Sequence, residues 1–119
     1  MYSLVVTSEF SAAHRLIDYP GVCERIHGHN WRIRVTVGSK DVDENGMVMD
    51  LVVLKKHIDT CVEQFDHRII NDVPPFDKLN PTSENLAKYL YDYVAERIEV
   101  PLQSVEVAEV EDYAVIYQP

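Results

Sequence analysis

Residues 27–38 read HGHNWRIRVTVG. Every second residue from Trp31 to Val37 is apolar and the residues between them are polar, which is the period of a β-strand with one buried face. His27 and His29 have the same parity as the apolar residues, so both imidazoles project from that face. The segment predicts a strand whose first residues place two imidazoles side by side, a geometry that suits one metal ion.

A third histidine, His14, follows a strand predicted over residues 2–10. It is close enough in sequence to His27 to return in the neighbouring strand of a hairpin and to complete a set of three ring nitrogens with His29. Three neutral imidazoles with an open fourth position are typical of catalytic zinc, whereas a structural site closes with a fourth protein ligand. We therefore expect zinc on these histidines; the alternative is three unrelated surface or core histidines.

Two cysteines occur, Cys23 and Cys61. Cys23 stands four residues before His27, where a thiolate beside a cation would be a reactive base. The alternatives for Cys23 are a fourth zinc ligand and an inert thiol. Cys61 recurs with apolar residues at helical spacing and is interpreted as a core thiol. A disulfide is not the favoured interpretation in a reducing compartment.

Two amphipathic helices are predicted after the first two strands. The first begins after Asp50, its N-cap, and carries apolar residues at helical spacing over residues 51–65. The second begins after Thr82, has Glu84 in its first turn and ends before the pair Val100-Pro101.

Residues 104–110 and 113–117 alternate as two further strands about an acidic turn at residues 111–112. The element order is therefore β-β-α-α-β-β. This order predicts an α+β fold in which a four-stranded antiparallel sheet packs two helices on one face.

Glu109 shares its parity with Val105 and Val107, so its carboxylate continues an otherwise apolar face and needs a partner. One interpretation is that it accepts hydrogen bonds from a ligand with adjacent N–H donors, such as the amino-pyrimidine edge of a purine or pterin. The other is a strand end that fans into solvent.

Asp66 and His67 follow the first predicted helix directly. A histidine beside a carboxylate can shuttle protons, provided that both side chains turn toward the site. The simpler interpretation is that the pair only caps the helix C-terminus, where the dipole favours an imidazolium.

Composition predicts one domain spanning residues 1–119, with 46% hydrophobic residues for its core. The formal charge of −9 and the scarcity of basic clusters argue against a nucleic-acid surface. The start of the chain lacks the features of a secretory signal, and no apolar run is long enough to span a bilayer. We therefore expect a cytoplasmic protein without a membrane partner.

Together these residues resemble the 6-pyruvoyl-tetrahydropterin synthase family of the tunnelling fold, and most closely its bacterial 6-carboxy-5,6,7,8-tetrahydropterin synthase branch. The resemblance covers essentially the whole chain. Its motifs occur in the family's order: Phe10-Ser11-Ala12-Ala13-His14, Cys23-x-x-x-His27-Gly28-His29, Gly46-Met47-Val48-Met49-Asp50, Phe65-Asp66-His67, Pro81-Thr82-Ser83-Glu84-Asn85 and Val105-x-Val107-x-Glu109.

The resemblance implies a role for each of these site residues. One zinc ion per subunit would be bound by three histidines, Cys23 would be the catalytic base, and Glu109 would anchor the pterin ring. It also implies a homohexamer of two stacked trimers, in which the sheets join into a barrel and the active sites lie between subunits. The residues concerned are, for the metal, His14, His27 and His29; for proton transfer, Cys23, Asp66 and His67; and for the pterin, Glu109, Thr82 and Ser83.

The function implied is that of a zinc-dependent lyase. It would convert 7,8-dihydroneopterin triphosphate to 6-carboxy-5,6,7,8-tetrahydropterin, acetaldehyde and triphosphate, on the route to queuosine and other 7-deazapurines. The three-residue gap between Cys23 and His27 favours this branch over the 6-pyruvoyl enzyme, whose cysteine commonly stands further upstream. Outside enzymes, the alternative is a zinc-stabilised pterin-binding or oligomerisation module.

The sequence departs from the family pattern at two places. Val110 replaces the threonine that usually follows the anchoring glutamate, which could weaken a supporting ligand contact, and residues 68–72 replace a common Leu-Asn pair, which would repack a loop. The triphosphate needs cations, and five basic residues are candidates: Arg15, Arg25, Lys55, Lys56 and Arg68.

Overall fold

The structure, a computed structural model, describes residues 1–18 and 25–119. Cys23 lies outside the described residues. Strand β1 (Tyr2–His14) pairs antiparallel with strand β2 (His27–Ser39) along their whole length. Both strands extend beyond the predicted ranges, and the extension matters because it brings His14 directly opposite His27.

Helix α1 (Leu51–Glu63) and helix α2 (Ser83–Ala95) follow the two long strands. Both predicted N-caps are confirmed: the Asp50 carboxylate accepts a hydrogen bond from Val52 N–H, and the Thr82 hydroxyl accepts one from Asn85 N–H. Helix α2 ends at Ala95, earlier than expected from Val100-Pro101. The helix is stopped before the proline by a tightened last turn, in which Arg97 N–H donates to Val94 C=O.

The sheet has five strands in the order β3-β1-β2-β4-β5, with strand β3 at Arg68–Ile69, strand β4 at Leu102–Val110 and strand β5 at Tyr113–Tyr117. The prediction of a four-stranded antiparallel sheet is therefore wrong in strand number. The four expected strands lie in the order β1-β2-β4-β5, and each is antiparallel to its neighbour. In the described residues, β3 adds a fifth strand, which is parallel to β1 at Ala12 and Ala13. Two residues are too few to show a period of two, so the sequence carries no signal for β3.

One face of the sheet carries the core. The buried side chains of β1 are at even-numbered positions and those of β2 at odd-numbered positions, and both helices pack their apolar stripes against this face. The opposite face of the sheet carries polar side chains, among them the ion pairs of Arg32 with Glu9 and Glu111. None of the helices in the part of the chain that the structure describes is long and apolar enough to cross a membrane.

The chain is more extended than its length requires. The radius of gyration is 15.2 Å, whereas a compact domain of this length has about 13.5 Å. Within the described residues, β1 has a partner strand on its outer side only at Ala12 and Ala13, which leaves the edge from Tyr2 to Phe10 open. An open edge of this length is a template for pairing with another chain.

Candidate metal centre and ligand cavity

Three histidines converge at one end of the core face. His14 ends β1, His27 begins β2 opposite it, and His29 lies on the same face two residues further along β2. Their ligand nitrogens all lie within 4.8 Å of one another. The convergence predicted from the sequence is confirmed, and the reason is the β1–β2 register, which places all three rings on one face.

Hydrogen bonds fix the tautomers of two of these rings. His14 Nδ1 lies 2.7 Å from the carbonyl oxygen of Pro81, and His27 Nδ1 lies 2.7 Å from that of Arg25. Because a carbonyl oxygen only accepts hydrogen bonds, each neutral ring must carry its proton on Nδ1, and its Nε2 atom then has a free lone pair. Backbone acceptors of this kind orient metal-binding histidines and set their tautomer.

The donor set fits a divalent transition metal ion. The Nε2 atoms of His14 and His29 are buried and have no hydrogen-bond partner among the described residues. Buried polar atoms are normally paired, so unpaired lone pairs that face a common point are explained by a cation between them. The three neutral nitrogens fit zinc, among the imidazole-binding metals, with a further coordination position to fill.

Burial favours the neutral form of His14 and His29. The side chain of His14 is 1% exposed, and desolvation lowers its pKa from 6.5 to about 4, against the opposing effect of the Pro81 hydrogen bond. Desolvation also lowers the pKa of His29, although the Glu109 carboxylate acts in the opposite direction. Neutral imidazoles are the form that binds a metal ion.

The Trp31 ring packs against the rings of His14 and His29. Its ring centroid lies 4.9 Å from that of His14 and 5.4 Å from that of His29, in both cases edge to face at 86°. The indole N–H donates to the carbonyl of Ala12 at 3.1 Å. The sequence placed Trp31 on the buried face, but its contact with the histidines is visible only in the structure.

The Glu109 carboxylate faces the histidines. Its Oε2 lies 3.2 Å from His29 Nε2 and 3.6 Å from His14 Nε2. The expectation that Glu109 continues the core face and meets a partner is confirmed. The alternative, a strand end that fans into solvent, does not describe Glu109, because its side chain is only 24% exposed and lies beside the two imidazoles.

A cavity of about 400 Å³ lies beside the histidines. His14 and Glu109 form one side of it, and Thr82 and Ser83, at the start of α2, form another. The residues predicted to meet the pterin therefore line one cavity next to the metal centre. Sequence reasoning missed Tyr113 and Leu16, which also line this cavity. Nothing in the local sequence pattern around either residue predicts a place beside the histidines.

Asp66 and His67 form a hydrogen-bonded pair at the edge of β1. His67 Nδ1 lies 3.0 Å from Asp66 Oδ1, and the same oxygen accepts from the backbone N–H of Ser11 at 3.0 Å. The Ser11 hydrogen bond is the main reason that the pKa of Asp66 is lowered. His67 has φ 59°, a conformation rare outside glycine, and its backbone N–H donates to Ser11 C=O.

The Asp66–His67 pair is therefore more than a helix cap, since two hydrogen bonds with the Ser11 backbone tie it to β1. The His67 side chain is 81% exposed and borders a cavity of about 490 Å³ with Ser11, Asn30 and Arg68. His29 also lines that cavity, and a further cavity of about 610 Å³ is lined by Asp66 together with His29 and Glu109. The His67 cavity shares no lining residue with the cavity of Thr82 and Ser83.

We expect the metal-free protein to lose stability as the pH falls from about 6.5 to about 4. The unfolded chain takes up the His14 proton first, because its pKa is 6.5 when unfolded and about 4 when folded. The contribution of His14, roughly 3 kcal/mol, is fully present above pH 6.5 and is lost on acidification, and His29 acts in the same direction.

Urea unfolding of the chelator-treated protein at several pH values measures this dependence. The variant His14→Gln should show a smaller loss of unfolding free energy on acidification, whereas His57→Gln, on helix α1, should keep the full loss. An unchanged pH dependence in His14→Gln would contradict the assignment.

Comparisons with known proteins agree with this geometry. A family model described as 6-pyruvoyl tetrahydropterin synthase matches residues 3–119. The chain is 40% identical over 114 residues to the 6-carboxy-5,6,7,8-tetrahydropterin synthase of Synechocystis sp., covering 92% of this chain and 87% of the relative. It is 35% identical over 124 residues to human 6-pyruvoyl tetrahydrobiopterin synthase, covering 92% and 86%.

A solved structure extends the likeness to three dimensions. The 6-pyruvoyl tetrahydropterin synthase of Caenorhabditis elegans superposes with a TM-score of 0.89 at 30% identity, covering 99% of this chain and 95% of that one. A match over residues 3–119, with the same fold and relatives above 30% identity across most of their length, decides the relationship. This chain belongs to the 6-pyruvoyl tetrahydropterin synthase family.

Proposed function

We propose that the protein is a zinc-dependent lyase that converts 7,8-dihydroneopterin triphosphate to 6-carboxy-5,6,7,8-tetrahydropterin, acetaldehyde and triphosphate. The observation that carries the proposal is the arrangement of three convergent imidazoles beside a cavity that is lined by Glu109, Thr82 and Ser83. The similarity to relatives named for this reaction supports the choice of branch.

His14, His27 and His29 would hold the zinc ion through Nε2. Bound zinc would supply Lewis-acid chemistry, polarising the oxygens of the substrate side chain and making the adjacent C–H more acidic. The Pro81 and Arg25 carbonyls keep the Nε2 atoms of His14 and His27 available for this purpose, and Trp31 keeps the rings of His14 and His29 in place.

Cys23 would act as the base that removes the side-chain proton, as its thiolate is favoured by nearby positive charge. His67 would deliver or accept protons as the double bond moves and triphosphate departs. Asp66 supports this role because it accepts from His67 Nδ1, which leaves Nε2 free to exchange a proton with the substrate. The low pKa of Asp66 keeps its carboxylate ionised in this pair.

Glu109 would fix the pterin ring by accepting hydrogen bonds from its adjacent N–H groups. Thr82 and Ser83 border the same cavity at the start of α2 and would contact the ring. For the triphosphate, Arg68 is the best placed of the candidate cations, because it borders the cavity of His67. Lys55 is already engaged by the carbonyl of Thr7 and the carboxylate of Asp59.

The working form would be a homohexamer whose sites lie between subunits. Two features of the chain support this: the open edge of β1 and the extended shape. A single chain would then not hold Asp66 and His67 at its own metal centre.

Incubation of the zinc-loaded protein with 7,8-dihydroneopterin triphosphate tests the reaction. We expect a carboxylated pterin by mass analysis together with one acetaldehyde per turnover. A pyruvoyl pterin without acetaldehyde would instead support the 6-pyruvoyl reaction, the second candidate, which is favoured by the similarity to the human relative of that name. Binding without turnover would indicate the non-enzymatic pterin-binding module.

A further inference from the structure

The position of Glu109 matches that of a fourth metal ligand. In a tetrahedral site with bonds of about 2.0 to 2.1 Å, neighbouring ligand atoms lie about 3.3 Å apart. Glu109 Oε2 lies 3.2 Å from His29 Nε2 and 3.6 Å from His14 Nε2. These two distances bracket the edge of such a tetrahedron, whereas Glu109 and the third histidine, His27, make no contact within 4.0 Å. Glu109 would therefore close the site with a small shift toward His27.

The hydrogen-bond pattern also favours a cation between His14 and Glu109. His14 donates from Nδ1 to Pro81, so its Nε2 offers only a lone pair toward Glu109. An ionised carboxylate also offers only lone pairs. Two acceptors that face one another in a buried place repel, unless a positive ion lies between them, and neither buried Nε2 has a hydrogen-bond donor among the described residues.

We propose that Glu109 is the fourth ligand of the metal ion in the substrate-free protein, through Oε2, and that a bound pterin draws this carboxylate away from the ion. The proposal rests on the proposed function, because it needs a ligand whose N–H groups compete for the carboxylate. Glu109 borders the cavity of Thr82 and Ser83, so the competing ligand would enter from that side. Glu109 would thus occupy the fourth coordination position in the absence of pterin, and pterin binding would vacate that position.

Cobalt(II) in place of zinc reports the ligands directly through its visible spectrum. Without ligand, the wild-type protein should give the intense bands of tetrahedral cobalt without the charge-transfer band of a cobalt–thiolate bond. Neopterin, which carries the pterin ring and no triphosphate to eliminate, should change these bands, and this measurement needs no substitution.

The variant Glu109→Gln keeps the side-chain shape and removes the charge. We expect its cobalt affinity to fall at least about tenfold, because even groups that only support a ligand are worth 10- to 100-fold. Its visible spectrum without neopterin should also differ from that of the wild type. The matched control is Glu111→Gln, two residues further on, whose 80% exposed side chain pairs with Arg32 on the opposite face and should change neither quantity.

The outcomes separate this proposal from the proposed function. Unchanged cobalt affinity and spectrum in Glu109→Gln, or a thiolate band in the wild type, would overturn the assignment of Glu109 as ligand. A cobalt spectrum that does not respond to bound neopterin would overturn the displacement. If Glu109→Gln alters cobalt binding but the zinc-loaded wild-type protein gives no lyase product, the ligand assignment is sustained and the proposed function is rejected.

Discussion

The variant Cys23→Ala is expected to keep one zinc ion per chain and to lose turnover by a factor of about 10² to 10⁴. The reason is that the proposed thiolate base removes a carbon-bound proton, and alanine leaves no group to accept it, while the three histidines that would hold the ion are unchanged. The measurements are kcat with 7,8-dihydroneopterin triphosphate and metal content after extensive dialysis.

Cys61→Ala is the matched control for this variant. Cys61 is fully buried in helix α1, and burial raises the pKa of its thiol to about 12, so it cannot supply a thiolate at neutral pH. The control should therefore keep its kcat. Loss of zinc from Cys23→Ala, but not from Cys61→Ala, would show that Cys23 is a metal ligand and not the base.

Hybrid oligomers of Cys23→Ala and His67→Ala chains are expected to recover about a quarter of the wild-type activity, although each variant alone is nearly inactive. If one chain supplies Cys23 to a site and another chain supplies His67, about one site in four of a randomly mixed hybrid contains both residues intact. The structure motivates this test, because β1 leaves an open edge for a neighbouring chain and the proposed homohexamer has its sites between subunits.

Co-expression of the two chains with different affinity tags, followed by purification through both tags, gives the hybrids for this assay. Mixing the separately assembled variants, without exchange of chains, should restore no activity and serves as the control. Absence of recovery in verified hybrids would mean that Cys23 and His67 serve the same site from one chain.

The sequence predicted the centre of the site because its geometry is local. A period of two assigns His27 and His29 to the apolar face of β2, and a short return places His14 beside them. The caps at Asp50 and Thr82 are equally local, since a side chain bonds a backbone group two or three residues further on.

The errors lie where local pattern is absent. Strand β3 has two residues and is held by pairing with Ala12 and Ala13, which are more than fifty positions away. The end of α2 was placed at the proline, yet the helix had already closed at Ala95. Contacts with a distant part of the chain set the bounds of β3, whereas a tightened last turn that the proline does not mark ends α2.

By itself, then, the sequence determined which faces are buried, where the helices begin and which side chains can bind a metal ion. Only the tertiary structure decided that the Pro81 carbonyl orients His14, that Glu109 meets the imidazoles and that Ser11 holds Asp66 beside β1. The physical reason is distance along the chain. These contacts join segments whose relative positions depend on the twist of the sheet and the packing of the helices, which no local period encodes.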